Sequence, residues 1–161
     1  MSALTTILRV VAVVSVGLIA GIFVGHRTGL HYAVPKLSAA SFVQLGQIIN
    51  AHYVRFMPPL VLTSLVSSVL WLVMIRSHWR TTEFWLVGIS ACAILALLAL
   101  TRAVNVPLNN QLMTWTADSP PSNAQQIWEP WERANTLRSI LATTALVLET
   151  VAVTLRTGVS R

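Results

Sequence analysis

Long apolar stretches, each bounded by Arg or Glu, dominate the chain. Four of them stand out, and they cover Val10–Val24, Leu60–Ile75, Phe84–Leu100 and Ile140–Leu155. A helix that crosses a membrane needs roughly 20 predominantly apolar residues, and each stretch reaches that length once its flanks are included. The pattern therefore predicts four membrane-spanning helices, at about residues 5–25, 57–76, 83–103 and 135–156.

Composition leads to the same class of protein. Of the 161 residues, 55 % are hydrophobic and only 10 % are charged, whereas roughly a quarter of the residues of soluble domains are charged. The net charge of +6 comes almost entirely from Arg, since Lys36 is the only Lys. Nucleic-acid binding needs a soluble basic face, but these Arg residues flank apolar stretches. We therefore predict one all-α domain, residues 1–161, that lies in a lipid bilayer and binds no nucleic acid.

The distribution of Arg predicts the orientation. Cytoplasmic flanks of membrane helices are enriched in Lys and Arg. With four spans, three basic segments share one side: the N-terminus with Arg9, the short connection Arg76–Thr82, and the C-terminus with Arg156 and Arg161. We expect both termini in the cytoplasm of a cell whose inner membrane holds the protein, with connections 25–56 and 101–134 outside.

Both outer connections contain helical signals. Ser41 and Gln44 form a capping-box pattern, and apolar residues then recur at helical spacing as far as Phe56. This predicts an amphipathic helix in the first outer connection. Ser122 and Gln125 repeat the capping-box pattern, which predicts a long helix that continues into the fourth span. The predicted fold is an integral membrane four-helix bundle.

Polar and aromatic residues concentrate between the third and fourth apolar stretches, in Arg102–Arg138. This segment carries three of the six Trp and three of the five acidic residues. One stripe of the last predicted helix, about 80° wide, holds Trp128, Trp131, Asn135, Arg138, Ala142 and Glu149. A stripe of about 60° on the preceding segment holds Arg102, Asn105 and Asn109. If the stripes face each other, they form a polar pocket at the outer membrane boundary.

Two interpretations of this cluster stay open. Buried polar groups need partners, so the Asn and Arg side chains could form a hydrogen-bonded clasp between two helices. They could equally form a substrate site. Trp115 and Trp128 also suit the aromatic belt that membrane proteins place at the headgroups.

Glu149 lies inside the fourth predicted span. A carboxylate at that depth is costly and usually faces the interior of the bundle. One interpretation is structural, with Glu149 either paired with Arg9 or neutral and hydrogen-bonded. The other gives it a role in proton handling.

Three His residues and three Gly residues suggest further sites. His26, His31 and His52 could bind copper, iron or haem, but their spacings of five and twenty-one do not give the i, i+4 pair expected on one helix face. We therefore favour no metal and no cofactor. A ridge for close helix contact, either within the chain or in a homo-oligomer, is formed by Gly17, Gly21 and Gly25.

Several of these residues form a pattern that resembles the anthrone oxygenase-like membrane family, most of whose bacterial members are domains of unknown function. The pattern comprises N-V-P-L-N at 105–109, Trp115, the Pro-Pro turn and W-E-R-x-N-x-L-R at 131–138, with H-Y-A-V-P at 31–35 and R-F-M-P-P at 55–59. The resemblance implies four membrane helices. It also implies the activity of the fungal members, which convert anthrones to anthraquinones without a flavin or nicotinamide. Family members often have His where this chain has Asn135.

The functional hypothesis combines the resemblance with the polar cluster. It is an oxygenase-like enzyme that oxidises a flat, apolar phenolic molecule with O₂. The expected catalytic residues are Glu132 as the base, with Arg138, Asn105, Asn109 and Asn135. The expected substrate-binding residues are Trp115, Trp128, Trp131 and Arg102. One alternative is a non-catalytic small-molecule-binding or accessory membrane protein. The other is a metal or haem redox protein that uses His26, His31 or His52.

Overall fold

The structure, a computed structural model, describes residues 3–157, with side chains as far as residue 155. Six α-helices follow in chain order: α1 Ala3–Gly25, α2 His31–Ala33, α3 Ala39–Met74, α4 Thr82–Leu100, α5 Val106–Leu112 and α6 Ala124–Thr157. Short helical turns join them: π-helical at His26–Leu30 and Thr101–Asn105, and 3₁₀ at Val34–Lys36 and Arg76–His78. Arg161 and the side chain of Arg156, both used to predict the orientation, lie outside the described part.

Four long helical stretches make up a bundle. They are Ala3–Lys36, Ala39–Met74, Thr82–Leu112 and Ala124–Leu155, and each is long and apolar enough to cross a membrane. Helix α1 packs against α3 and α6, and α4 packs against the same two helices, which closes the ring. The prediction of an all-α, multi-pass membrane bundle is confirmed. We call the end that carries residues 26–50 and 101–134 the cavity end, and the other the terminal end.

The interior of the bundle is small and its surface is apolar. The middle of the bundle is filled by Val16, Ile19, Ala20, Phe23, Val61, Ile94, Leu97, Ala142 and Ala145. Large apolar side chains such as Leu18, Ile89 and Ile140 are more than half exposed. Large apolar side chains on the outer surface are expected for a protein surrounded by lipid. Ala142 and Ala145 are fully buried. Small residues at such positions let membrane helices approach closely.

Helix α3 is longer than the sequence predicts. It runs unbroken over Ala39–Met74, with Pro58 and Pro59 inside it. The predicted amphipathic helix and the second span are therefore one helix. Ser38, rather than Ser41, caps it, because the Ser38 Oγ accepts a hydrogen bond of 3.1 Å from the backbone N–H of Ser41.

Helix α6 confirms the predicted long helix that continues into the fourth span. It begins at Ala124, so Ser122 lies outside it, and its first turn contains a hydrogen bond of 3.0 Å from the Ile127 N–H to the Asn123 carbonyl. The cap position is therefore Asn123, and the predicted capping box at Ser122 is one residue early. Pro130 lies inside the helix without ending it.

Glu149 faces inward and is fully buried. Its Oε1 accepts hydrogen bonds from the hydroxyls of Ser68 at 2.6 Å and Ser90 at 2.8 Å. Because the three residues belong to α6, α3 and α4, this cluster joins three helices. The interpretation of Glu149 as a hydrogen-bonded structural group agrees with these contacts.

The predicted pair of Arg9 with Glu149 is wrong. Arg9 forms a buried ion pair with Glu83, which also accepts a hydrogen bond of 3.1 Å from the Trp71 indole. Glu83 lies in the first turn of α4, whereas Glu149 lies at the level of Ser90, about two helical turns deeper. The depth of the two carboxylates therefore decides which of them meets Arg9.

The glycine ridge is divided between two environments. A Cβ built at Gly17 would lie 3.5 Å from Leu146 of α6, which makes Gly17 a contact within the chain. Gly21 and Gly25 have open space in front of them among the described residues. A homo-oligomer through these two glycines stays a prediction.

Candidate functional site

A cavity of about 460 Å³ lies between the four helices at the cavity end. Apolar side chains from α1 and α3, including Phe23, Met57 and Val61, form most of its wall. Polar side chains converge on it from several elements: Glu132, Asn135 and Arg138 from α6, His26 and Asn109 from the first π turn and α5, Asn50 and Tyr53 from α3, and Thr101 and Arg102 from the second π turn. An apolar cavity with a few converging polar groups is typical of a small-molecule site.

The stripe predicted on the last helix does face this cavity. Trp128, Asn135 and Arg138 are buried, and the Trp128 and Trp131 rings are stacked, with centroids 4.9 Å apart and planes 16° apart. The Trp131 indole N–H donates a hydrogen bond of 2.7 Å to the Asn109 Oδ1. The two predicted stripes therefore meet, through an indole and an amide.

Arg138 is a buried cation between aromatic faces. Its guanidinium carbon lies 4.6 Å from the Phe23 ring centroid and 5.3 Å from that of Trp131. It donates hydrogen bonds to the Asn135 Oδ1 at 2.9 Å and the Thr101 Oγ1 at 3.4 Å. A buried charge is costly unless an opposite charge pairs with it, so this guanidinium is suited to bind an anionic oxygen.

Further donors in the same wall lack protein partners. The Asn135 Nδ2 and the Arg138 Nε are buried and make no hydrogen bond within the described part of the chain. Unsatisfied buried donors are rare in native proteins. Both residues line a cavity whose remaining wall is mostly apolar, although the two donors themselves are covered by neighbouring atoms.

Glu132 lies between two imidazoles. Its Oε1 is 3.1 Å from the His26 Nε2, and its Oε2 is 2.9 Å from the His31 Nδ1. His26 lines the cavity, His31 lines a separate surface groove of about 900 Å³, and Glu132 lines both. The three groups form a continuous chain of hydrogen-bonding atoms from the cavity to the groove.

Sequence reasoning missed this grouping because of local helix geometry. His26 and His31 are five residues apart, a spacing that separates side chains by about 140° on an α-helix. The chain forms a π-helical turn at His26–Leu30, in which the bonding step is i to i+5. Residues five apart then lie on one face. The spacing of five was itself the signal that could have found the pair.

Of the other predicted site residues, one lies at the cavity edge and two do not line the cavity. Asn105 is fully buried behind the cavity wall, where its Nδ2 donates a hydrogen bond of 3.3 Å to the Trp131 carbonyl. Arg102 is largely exposed and lies at the cavity edge. Trp115 does not line the cavity. It packs against Phe42 with ring centroids 6.4 Å apart, in a cluster that also contains Ala124 and Trp128 of α6.

The three His residues proposed as metal ligands do not form one site. His52 is exposed on α3, and its Nδ1 lies 2.8 Å from the Ile48 carbonyl. Both His26 and His31 contact Glu132 instead. Over the residues that the structure describes, no group of three or more His, Cys, Asp or Glu side chains is arranged to hold a metal ion.

Comparison with known proteins agrees with this architecture. A protein-family profile described as anthrone oxygenase matches residues 46–148, well over half of the chain. The matched range includes Asn109, Glu132, Asn135 and Arg138 but neither His26 nor His31. No curated protein and no solved structure matches the chain. The match confirms the resemblance seen in the sequence: the chain belongs to the anthrone oxygenase family.

Proposed function

We propose that the protein is an oxygenase-like membrane enzyme that oxidises a flat, apolar phenolic compound with O₂, as in the conversion of an anthrone to an anthraquinone. The observation that carries this proposal is the pairing of Arg138 with a mostly apolar cavity. A planar hydrocarbon framework suits the apolar wall. An oxygen that becomes negative during the reaction suits the guanidinium.

The chemistry needs few groups from the protein. The benzylic C–H of an anthrone is acidic, and its removal leaves an extended anion that can pass an electron to O₂ directly. Joining of the resulting radical and superoxide forms a C–O bond and gives a peroxide anion, which takes up a proton to become a hydroperoxide. Removal of the second C–H proton breaks the O–O bond and expels hydroxide, which takes a proton to become water. The sum is anthrone plus O₂ giving anthraquinone plus water, and no added cofactor enters the balance.

Glu132 is the proposed base. It lines the cavity, and a carboxylate positioned within hydrogen-bond reach can accept the substrate proton. Its contact with His26 lets the proton be shared with an imidazole that also faces the cavity. The resemblance implies a His at the position of Asn135 in many relatives. In this chain the imidazole that faces the cavity belongs to His26.

The remaining residues would bind and polarise the substrate. Arg138 and Asn135 would stabilise the oxyanion of the substrate anion, because donors fixed in a dry site act strongly on developing charge. Trp128 and Trp131 would contact the rings, and Asn109 would hold the Trp131 indole. Asn105 would support the same residue through its backbone, without touching the substrate.

The proposed setting is the inner membrane of the cell, with the cavity end outside. Arg76 and Arg80 are exposed in the connection at the terminal end. Basic residues favour the cytoplasmic side, so both termini are placed there. The substrate would be a molecule that dissolves in the bilayer.

Oxygen uptake by purified protein in lipid nanodiscs tests the activity. With an anthrone as substrate, we expect wild-type protein to consume one O₂ per quinone formed, faster than empty nanodiscs. The double variant Arg138→Ala/Glu132→Gln should match the empty nanodiscs. Equal rates for the wild type and the double variant would refute the assignment.

A second candidate is a non-catalytic small-molecule-binding or accessory protein. The observation that favours it is the set of contacts from Asn105 and Asn109 to Trp131, which joins the stretch before α6 to α6 as a clasp would. A metal or haem redox protein is the third candidate. Elemental analysis and an optical spectrum of the folded protein would decide it.

A further inference from the structure

We propose that ligands reach the cavity from within the bilayer, through a side window between α3 and the stretch Arg102–Val106. On α3 the window is bordered by Asn50, Val54, Pro58 and Leu62, and on the other side by Arg102 and Val106, all of which line the cavity. The inference rests on the proposed function in one respect, because it takes the ligand to be a planar apolar molecule.

The first argument is a missing contact along one face of α3. Residues on this face recur every three or four positions, and they pack against neighbouring helices at both ends of the cavity. Toward the cavity end, Gly46 touches Leu112, since a Cβ built at Gly46 would lie 2.7 Å from the Leu112 Cδ2. Toward the middle of the bundle, Val61 packs into the core. Between these two contacts Val54 remains 61 % exposed.

The distance between the two contacts is large enough for a ligand. Met57, four positions before Val61, also packs against the core, so the gap runs over the eleven positions from Gly46 to Met57, about 16 Å along a helix. Over this length α3 has cavity on one side and Val54 is more than half exposed, as is Leu62 beyond it. In a protein of this class their surroundings are lipid tails. The rim is apolar at Val54, Pro58, Leu62 and Val106, with Asn50 at its cavity-end side and Arg102 on the opposite edge.

The second argument is the geometry of the opposite edge. The helix after α4 forms a π-helical turn at Thr101–Asn105, in which the Val106 N–H bonds to the Thr101 carbonyl. Pro107 follows and has no N–H to donate. A π turn adds a residue to the helix and shifts the side chains that come after it. Arg102, the second residue of this turn, is exposed at the cavity edge.

Hydrogen bonds hold one border of the window in place. The Gln47 Nε2 donates to the carbonyls of Leu112 at 3.1 Å and Trp115 at 2.8 Å. These bonds fix the end of α5 to α3 on the cavity-end side of the window. The opening is thus bounded on that side by a specific contact.

The third argument is that aromatic side chains lie between the cavity and the surface groove. Phe42, Trp128 and Glu132 line both spaces and therefore stand between them. The Phe42 and Trp128 rings meet edge to face, with centroids 5.9 Å apart. An apolar molecule would therefore meet aromatic rings on the groove side, whereas the opening on the lipid side is bordered largely by apolar side chains.

Exchange kinetics of radiolabelled anthraquinone in proteoliposomes test the window. The variant Val54→Phe/Leu62→Phe narrows the opening, and we expect association and dissociation to slow together, by at least about fivefold, with the Kd nearly unchanged. A matched control is Val66→Phe/Leu70→Phe, which changes the same residue types at exposed positions of α3 that do not line the cavity. The control should exchange like the wild type.

A variant with a wider opening gives a second test, which holds even if the narrowed variant does not fold. Val54→Ala/Leu62→Ala should exchange faster than the wild type, again at nearly constant Kd. If anthraquinone binds but all the variants exchange at the wild-type rate, the window is wrong and the proposed function stands. If anthraquinone does not bind the wild type, the proposed ligand class is overturned and the window with it.

Discussion

Replacing Glu132 with Gln is expected to slow protein-dependent anthrone oxidation by about 10²- to 10⁴-fold, the usual contribution of a positioned general base. Gln has nearly the same shape as Glu and still offers one oxygen to His26 or His31, but it cannot accept the substrate proton. The measurement is oxygen uptake in nanodiscs under saturating anthrone. Thermal melting of the same sample checks that the fold is retained.

The chain supplies a matched control for this substitution. Glu129 lies on α6 one turn before Glu132, is exposed, and pairs with Arg133 at 3.1 Å. Glu129→Gln makes the same chemical change outside the cavity and should leave the rate unchanged. If Glu132→Gln and Glu129→Gln oxidise anthrone equally fast, Glu132 is not the base.

Replacing Arg138 with Ala is expected to lower kcat/KM for the anthrone by about 10²- to 10³-fold, as the loss of one oxyanion donor usually does. Arg138→Lys should restore little of this loss, because an ammonium cannot reproduce a planar guanidinium held between Phe23 and Trp131. Arg133→Ala is the control, since the Arg133 side chain is 80 % exposed. Rates within twofold for the two alanine variants would contradict the assigned role.

Melting temperatures of the same variants separate a site from a clasp. Arg138 is buried with no carboxylate within hydrogen-bond distance in the described part of the chain, so Glu132 compensates its charge only at longer range, and removing the charge relieves a desolvation cost. Replacing a residue that is kept for function at the expense of stability often stabilises the fold. We therefore expect Arg138→Ala to melt at the wild-type temperature or above. A lower melting temperature with unchanged activity would favour the non-catalytic clasp.

Regular helices made much of the architecture predictable. The four spans follow from apolar length alone, and the inward stripe Trp128–Arg138 follows from 100° per residue, because α6 stays α-helical from Ala124 onward despite Pro130. The family could also be recognised, because its most specific pattern lies at 105–138, within the matched range. Length and periodicity are properties that a sequence displays directly.

Departures from the α-helix account for what the sequence did not reveal. The two π turns change the angular step, so His26 and His31 meet at Glu132, and Arg102 and Asn109 line the cavity while Asn105 lies behind its wall. The partner of Arg9 depended on relative depth, which helix length does not determine. The continuity of α3 through Pro58 and Pro59 also went unpredicted, since prolines usually mark a helix start or break.

An experimental density map of the protein with bound anthraquinone, in lipid nanodiscs, is the most direct measurement. We expect a flat density in the cavity, with one quinone oxygen within hydrogen-bond distance of Arg138 and the rings beside Trp131. The His26–Glu132 pair should lie at the edge of the same density. A map in which side chains fill this space, or in which Arg138 turns to a protein carboxylate and the quinone lies elsewhere, would contradict the proposed site.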